Sequence, residues 1–326
     1  MPAEDAARPR RPWRVRLRRW LERRTLELFE ERVRAPARRR RNADRSFRPL
    51  FVTGLMGSGT TLVALSLAQR FECAAAITES AHQVSPDTVL HLPLPNTFPS
   101  VAAYLEAVRP RAEWSREAVR EALLDLYRSK ARGRSEVVVD KGPNTTLARA
   151  SLLASCFPDA GFLLVFRDPV ANVEGLRRKW RLFAGEPLSS SVAFHERLHG
   201  WFLDSLPLLG PRVAFIEYET LLERYDETLA AIGRFFRLGP ASRRRRLAGR
   251  PNVPGQGIRN VRAGRIRLVR DANRLAYRNL EPSEVDWVRA RLGPLHEKLR
   301  SLRRHQAEGP PAAALPAAAD LRGTTR

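Results

Sequence analysis

The feature that most constrains this chain is the run Phe51-Val-Thr-Gly-Leu-Met-Gly-Ser-Gly-Thr-Thr-Leu62. Pro49 to Thr53 is a short apolar stretch of β-formers, and helix-type spacing resumes from Leu62 to Leu67, so the glycines between them sit in a strand-to-helix turn. Gly54, Gly57 and Gly59 let the backbone turn its N–H groups inward. The following helix adds unpaired N–H groups and the positive end of its dipole. With the hydroxyls of Ser58, Thr60 and Thr61 alongside, such a turn is suited to holding phosphate.

Set against the nucleotide pattern G-x-x-x-x-G-K-[ST], Gly54 and Gly59 fit, but Thr60 stands where the phosphate-reaching lysine belongs, which disfavours an ordinary ATPase or kinase. The charge balance points to anions as well. Against 35 acidic residues stand 58 basic ones, a net +23, and only 4 of the 58 are lysine. Guanidinium groups grip phosphate and sulfate bidentately, so an anionic ligand, nucleic acid and a membrane surface are all open partners on charge alone. Cys73 and Cys156 lie in apolar surroundings without C-x-x-C spacing, which implies buried thiols in a reduced compartment. No apolar run reaches 18 residues and no secretory signal is visible, so the expected location is cytoplasmic.

The chain divides into a basic segment (1–48), an α/β domain (49–302) and a Pro- and Ala-rich tail (303–326) expected to be disordered. The first segment carries 17 arginines against 7 acids, with Trp13, Leu17, Trp20, Leu21, Leu28 and Phe29 spaced for one helical face. It reads as a helix docked on its own domain or, through residues 11–34, as a peripheral membrane contact. In the domain, strands are expected at 49–53, 74–77, 137–139, 161–166 and 213–216. Helices are expected at 62–71, 101–131, up to Ser155, 170–183, 190–206, 226–236 and 281–302. The run Gly161-Phe-Leu-Leu-Val-Phe166 lacks alternation, as a strand covered on both faces should. The alternation of strands and helices implies a three-layer α/β fold with a parallel central sheet, whose ligands gather at the strands' carboxyl ends.

Several of those ends carry motifs that occur together in one family. Ser58-Gly-Thr-Thr-Leu62, Asp140-Lys-Gly-Pro143, Phe157-Pro-Asp-Ala followed by Arg167-Asp-Pro169, and Tyr218-Glu-Thr-Leu221 before Phe235-Phe236 resemble, in order and separation, the sulfotransferases that use 3′-phosphoadenosine 5′-phosphosulfate (PAPS). The likeness is to the bacterial and tyrosylprotein-like branch and covers residues 49 to about 300. It implies a P-loop nucleoside-triphosphate-hydrolase-like fold and transfer of a sulfuryl group, without metal, to a hydroxyl or amine. The acceptor, whether carbohydrate, lipid, peptide or small metabolite, and the oligomeric state stay open.

The resemblance also assigns roles. Backbone N–H groups from Gly57 through Leu62, with Thr60 and Thr61, hold the 5′-phosphate; Arg167 clamps the 3′-phosphate; Tyr218 lies near the adenine; Lys141 meets charge on the leaving phosphate oxygen. Glu79 is the first candidate for the base and His82 the alternative. Two positions depart from the pattern: Gly57 replaces the usual Lys or Arg, and Gly175 replaces a serine that helps hold the 3′-phosphate. Arg177, Arg178 or an arginine from 259–265 are the candidates to compensate, and Arg262-Ala-Gly264-Arg265 resembles a C-terminal basic phosphate loop. Two other readings remain: a degenerate P-loop kinase with Asp140 or Asp168 on Mg²⁺, and a non-catalytic binder of anions or nucleic acid. The latter leaves the ordered strand-end motifs unaccounted for, so nucleic acid is disfavoured.

Overall fold

A computed structural model of the chain describes residues 35–77, 79–131, 135–241, 261–262, 265–266, 273–274 and 276–308. Five strands, β1 (Arg48–Thr53), β2 (Ala74–Ala76), β3 (Val137–Lys141), β4 (Gly161–Phe166) and β5 (Val213–Glu217), form one parallel sheet in the order β2-β3-β1-β4-β5. Because β1 is central and the chain crosses it on the way from β3 to β4, the sheet's switch point lies at the end of β1, where the glycine turn begins.

Parallel strands need crossovers, and here they place helices on both faces. Phe51, Val138, Phe162, Leu164 and Phe166 point into one layer, with Phe157, Tyr127 and Leu147. Leu50, Val52, Val139, Leu163 and Val165 point into the other, with Leu62, Val63, Leu67, Ile232 and Phe236. All six residues of β4 are buried, so the unalternating run is a strand covered on both sides.

Most of the expected elements are present, with differences that have local causes. The helix expected over 101–131 is two helices, α3 (Val101–Val108) and α4 (Arg116–Lys130), following α1 (Ala35–Arg41) and α2 (Thr60–Arg70). Pro110 has no N–H and pushes Arg109 to ψ 140°, which ends α3, and Ser115 starts α4 by accepting from Ala118 N. After α5 (Thr145–Cys156), α6 (Pro169–Lys179) stops short of 183 and gives way to a 3₁₀ turn at Arg181–Phe183. Then come α7 (Leu188–Leu209), α8 (Tyr218–Glu223) and α9 (Tyr225–Phe235). A two-residue hairpin pairs β6 (Val261–Arg262) with β7 (Arg265–Ile266). The last helix, α10 (Pro282–Glu308), continues six residues past 302, so the first part of the segment assigned to a tail is helical. The basic helix at 11–34, Thr78, Gly264, the side chains of Arg262 and Arg265, and the chain from 309 lie outside the described residues. No helix among the described residues is long and apolar enough to cross a membrane.

One buried cluster sets an acid limit on the fold. On α7, Ser191, His195 and His199 recur every four residues and are 0%, 3% and 2% exposed. The two imidazoles stack with ring centroids 4.4 Å apart, and His199 Nδ1 lies 3.1 Å from His195 O. Burial, reinforced by neighbouring imidazoles, holds both below the ordinary histidine value, His199 at about 4. Between the unfolded value near 6.5 and about 4, the unfolded chain therefore binds more protons than the folded one, and stability falls as pH drops through that window. Urea midpoints measured at pH 7 and 4.5 are expected to converge in His199→Gln relative to the parent. An unchanged gap would contradict this assignment.

Candidate functional site

The carboxyl ends of the five strands bring the candidate residues to one edge of the sheet. Val52 on β1 is level with Lys141 on β3, and Phe166 on β4 is level with Glu217 on β5. The glycine turn leaves β1, and α2 begins at Thr60 with no side-chain cap. The N-cap position is Gly59, which has no side chain to spend on the first-turn amides, and a helix start of this kind attracts an anion.

Two glycines of the turn are fixed by geometry. Gly59 has φ +103°, and a Cβ there would lie 2.3 Å from Cδ2 of the Tyr218 ring, so both backbone and space exclude a side chain. Gly57 has φ +89° with ordinary room beside it, the amide of Asn172 lying 3.5 Å from a Cβ position. Backbone conformation rather than crowding therefore disfavours the expected Lys or Arg at 57. Gly59→Ala is expected to lower the unfolding free energy by about 2–4 kcal/mol, combining left-handed strain with overpacking against Tyr218. Denaturant unfolding checks this; a loss under 1 kcal/mol would mean the ring moves aside freely.

Arg167, at the end of β4, is only 9% exposed. Its Nη1 donates to Gly57 O at 3.0 Å, its Nε donates to Asn273 Oδ1 at 2.7 Å, and Nη2 also donates to Asn273 Oδ1. Its guanidinium lies 5.0 Å from the centroid of the Tyr218 ring. Among the described residues, no carboxylate forms an ion pair with it. Tyr218 is buried between Gly59 and Arg167 and so braces the turn.

On the other side of the turn, Glu79, His82 and Lys141 come together. Glu79 Oε1 is 3.7 Å from Lys141 Nζ, and Glu79 Oε2 is 3.3 Å from His82 Nε2. Lys141 is wholly buried, which lowers its pKa, while the Glu79 and Asp140 carboxylates oppose that shift. Burial also resists protonation of His82, but its contact with Glu79 outweighs this and the net shift is upward. His82 Nδ1 faces the carbonyl of Leu92, so the ring spans Glu79 and the loop that follows it. The structure thus joins both candidate bases in one cluster, with His82 committed on its Nδ1 side.

Asp140 and Asp168, the magnesium ligands of the kinase alternative, have internal partners. Asp140 accepts from Ser80 Oγ and from Tyr127 Oη at 2.7 Å. Burial, opposed by these hydroxyls, raises its pKa to about 6. Asp168 caps α6 through Ala171 N and accepts from Tyr277 Oη at 2.7 Å. Arg177 donates to Glu186 O and Arg178 to Glu174, so both candidate compensators are engaged locally. Near Gly175 the cation is Lys179, whose Nζ lies 3.8 Å from a Cβ position on that glycine.

Four residues to which the motifs gave no role, Asn144, Asn172, Glu219 and Asn273, join the candidate site. Asn144, at φ +59°, donates its backbone N–H to Gly54 O and accepts from Met56 N through Oδ1, tying the Asp140–Asn144 strand end to the glycine turn. Asn172 Nδ2 donates to Met56 O from α6. Glu219 accepts from Asp168 N and from Asn273 Nδ2. Of the eleven buried side-chain N and O atoms without a hydrogen-bond partner among the described residues, six belong to Ser58, Glu79, His82, Lys141, Asn172 and Glu219. Glu79, His82 and Lys141 meet one another as ion pairs, which leaves Ser58, Asn172 and Glu219 as the buried polar groups near the turn with capacity for a ligand.

The sulfotransferase family model matches residues 49–239, more than half of the chain and all five strand ends. The chain belongs to the sulfotransferase family. Solved structures similar to it are themselves sulfotransferases. The sulfotransferase domain from the curacin biosynthetic pathway is 16% identical, with a TM-score of 0.47, covering 77% of this chain and 99% of that domain. The sulfotransferase from Alicyclobacillus acidocaldarius is 17% identical, with a TM-score of 0.45, covering 79% and 96%. Sulfotransferase STF1 from Mycobacterium tuberculosis H37Rv is 15% identical, with a TM-score of 0.45, covering 80% and 81%. No curated protein sequence matches the chain. For a sulfotransferase, the departures at Gly57 and Gly175 now have neighbours: Asn172 beside the first and Lys179 beside the second.

Proposed function

We propose that this sulfotransferase transfers the sulfuryl group of PAPS, in line and without a metal ion, to a hydroxyl or amine of an acceptor. The observation that carries the reading is Arg167: a buried guanidinium with no carboxylate ion pair among the described residues, bonded to the carbonyl of Gly57 in a turn whose helix start is uncapped. A buried charge is tolerated when an opposite charge meets it, and a phosphorylated nucleotide spanning the turn and Arg167 supplies one.

The donor contributes an activated sulfuryl group; the chain contributes positioning and charge. The amides of Ser58 to Leu62 and the hydroxyls of Thr60 and Thr61 hold the 5′-phosphate, and Arg167, with Lys179 near Gly175, holds the 3′-phosphate. The proton leaving the acceptor passes to the Glu79 carboxylate as the acceptor's oxygen or nitrogen bonds to sulfur. The negative charge left on the departing phosphate oxygen is met by Lys141. His82 holds Glu79 in place through its Nε2. Such catalysis rests on orientation and electrostatic stabilisation more than on covalent chemistry.

The test is incubation with sulfur-35-labelled PAPS and a lysate from the host, comparing the parent with Glu79→Gln. Label transferred by the parent and lost in the variant supports the reading; no transfer and no release of 3′-phosphoadenosine 5′-phosphate (PAP) would refute it.

A further inference from the structure

Asn273 sits between two groups of opposite charge, the buried Arg167 and the half-buried Glu219. Its Oδ1 accepts from Arg167 through both Nε and Nη2, and its Nδ2 donates to Glu219 Oε1. This orientation of the amide is the only one the partners allow, because a guanidinium has donors alone and a carboxylate acceptors alone. Glu219 is half-buried, and its other oxygen, Oε2, is itself buried with no hydrogen-bond partner among the described residues. Arg167 and Glu219 are therefore one amide apart and feel each other's charge, but they make no direct ion-pair contact, although each has unused hydrogen-bonding capacity.

We propose that Asn273 is a positioning residue that insulates Arg167 from Glu219 and so keeps the guanidinium available to a dianionic phosphate. This rests on the PAPS reading and extends it. Without the amide, the two side chains close into a direct ion pair, since an arginine fork and a carboxylate form one of the strongest pairings in a buried setting. That pair neutralises the charge the nucleotide requires, and an incoming phosphate must then displace a carboxylate rather than a neutral carbonyl oxygen. Glu219 stays in the site because it accepts from Asp168 N at 3.2 Å, holding the backbone that follows Arg167.

A double-mutant cycle read by titration with PAP tests the proposal. Asn273→Ala is expected to weaken PAP binding by about 10- to 100-fold, the scale of losing one charge-assisted contact. Adding Glu219→Gln, which keeps an oxygen for Asp168 N but carries no charge, is expected to restore at least half of that loss on a logarithmic scale. Glu219→Gln alone, the fourth corner of the cycle, is expected to raise PAP affinity, because it removes the carboxylate that competes for Arg167. Rescue is the signature of insulation, because a merely structural role for Asn273 makes the losses additive. A double variant that binds as weakly as Asn273→Ala, or an Asn273→Ala chain that binds as well as the parent, overturns the proposal. A parent chain that fails to bind PAP instead overturns the donor assignment, so the two failures are distinct.

Discussion

Glu79→Gln is expected to lower kcat by about 10²- to 10⁴-fold, the usual contribution of a positioned base, while PAP affinity changes little. The amide keeps the shape of the carboxylate but cannot accept the acceptor's proton. Because Glu79 also neighbours Lys141 at 3.7 Å and His82 at 3.3 Å, the variant leaves a buried ammonium without its carboxylate. Circular dichroism and PAP binding must therefore show the fold intact before kcat is interpreted. The pH profile supplies an independent readout. In the proposed reaction Lys141 acts in its protonated form, and burial lowers its pKa from the ordinary 10.5. Activity is thus expected to fall on the alkaline side as pH rises through a value below that of a free lysine. An alkaline limb at or above the ordinary lysine value would remove Lys141 from the reaction, and a kcat within threefold of the parent would remove Glu79.

The second large effect concerns Arg167. Arg167→Ala is expected to weaken PAP by about 10²- to 10³-fold, as truncating one partner of a buried charged contact does. Arg167→Lys is expected to recover only part of this, because an ammonium cannot reproduce three N–H donors to Gly57 O and Asn273 Oδ1 in one plane. Binding of adenosine 5′-phosphate is expected to change far less, since Arg167 is assigned to the 3′-phosphate. Equal losses for both nucleotides would place Arg167 at the other end of the donor.

What could be read from the chain alone was whatever is local. The strand-turn-helix at 48–70 is visible because strand, glycines and helix follow one another, and β4 because six consecutive buried residues leave no alternation. The break at Pro110 was readable in principle; the periodicity of the flanking helices masked it. The candidate site was partly legible, because Gly59, Lys141 and Arg167 stand within motifs whose residue types suggest their chemistry. The asparagines were not. Asn144, Asn172 and Asn273 are common residues of turns and caps, and their roles depend on partners 88, 116 and 106 residues away in sequence. Tyr218 shows the same limit: the resemblance put it near the adenine, while its packing on Gly59 and under Arg167 follows only from the sheet order that sets β5 beside β4.

Calorimetric titration of the parent chain with PAP and, separately, with adenosine 5′-phosphate addresses the central assignment, that the glycine turn and Arg167 together hold a nucleotide phosphorylated at both ends. PAP binding about 10²-fold tighter than adenosine 5′-phosphate, with the difference removed by Arg167→Ala, is the expected result. Equal affinities for the two nucleotides, or binding of neither, would contradict it.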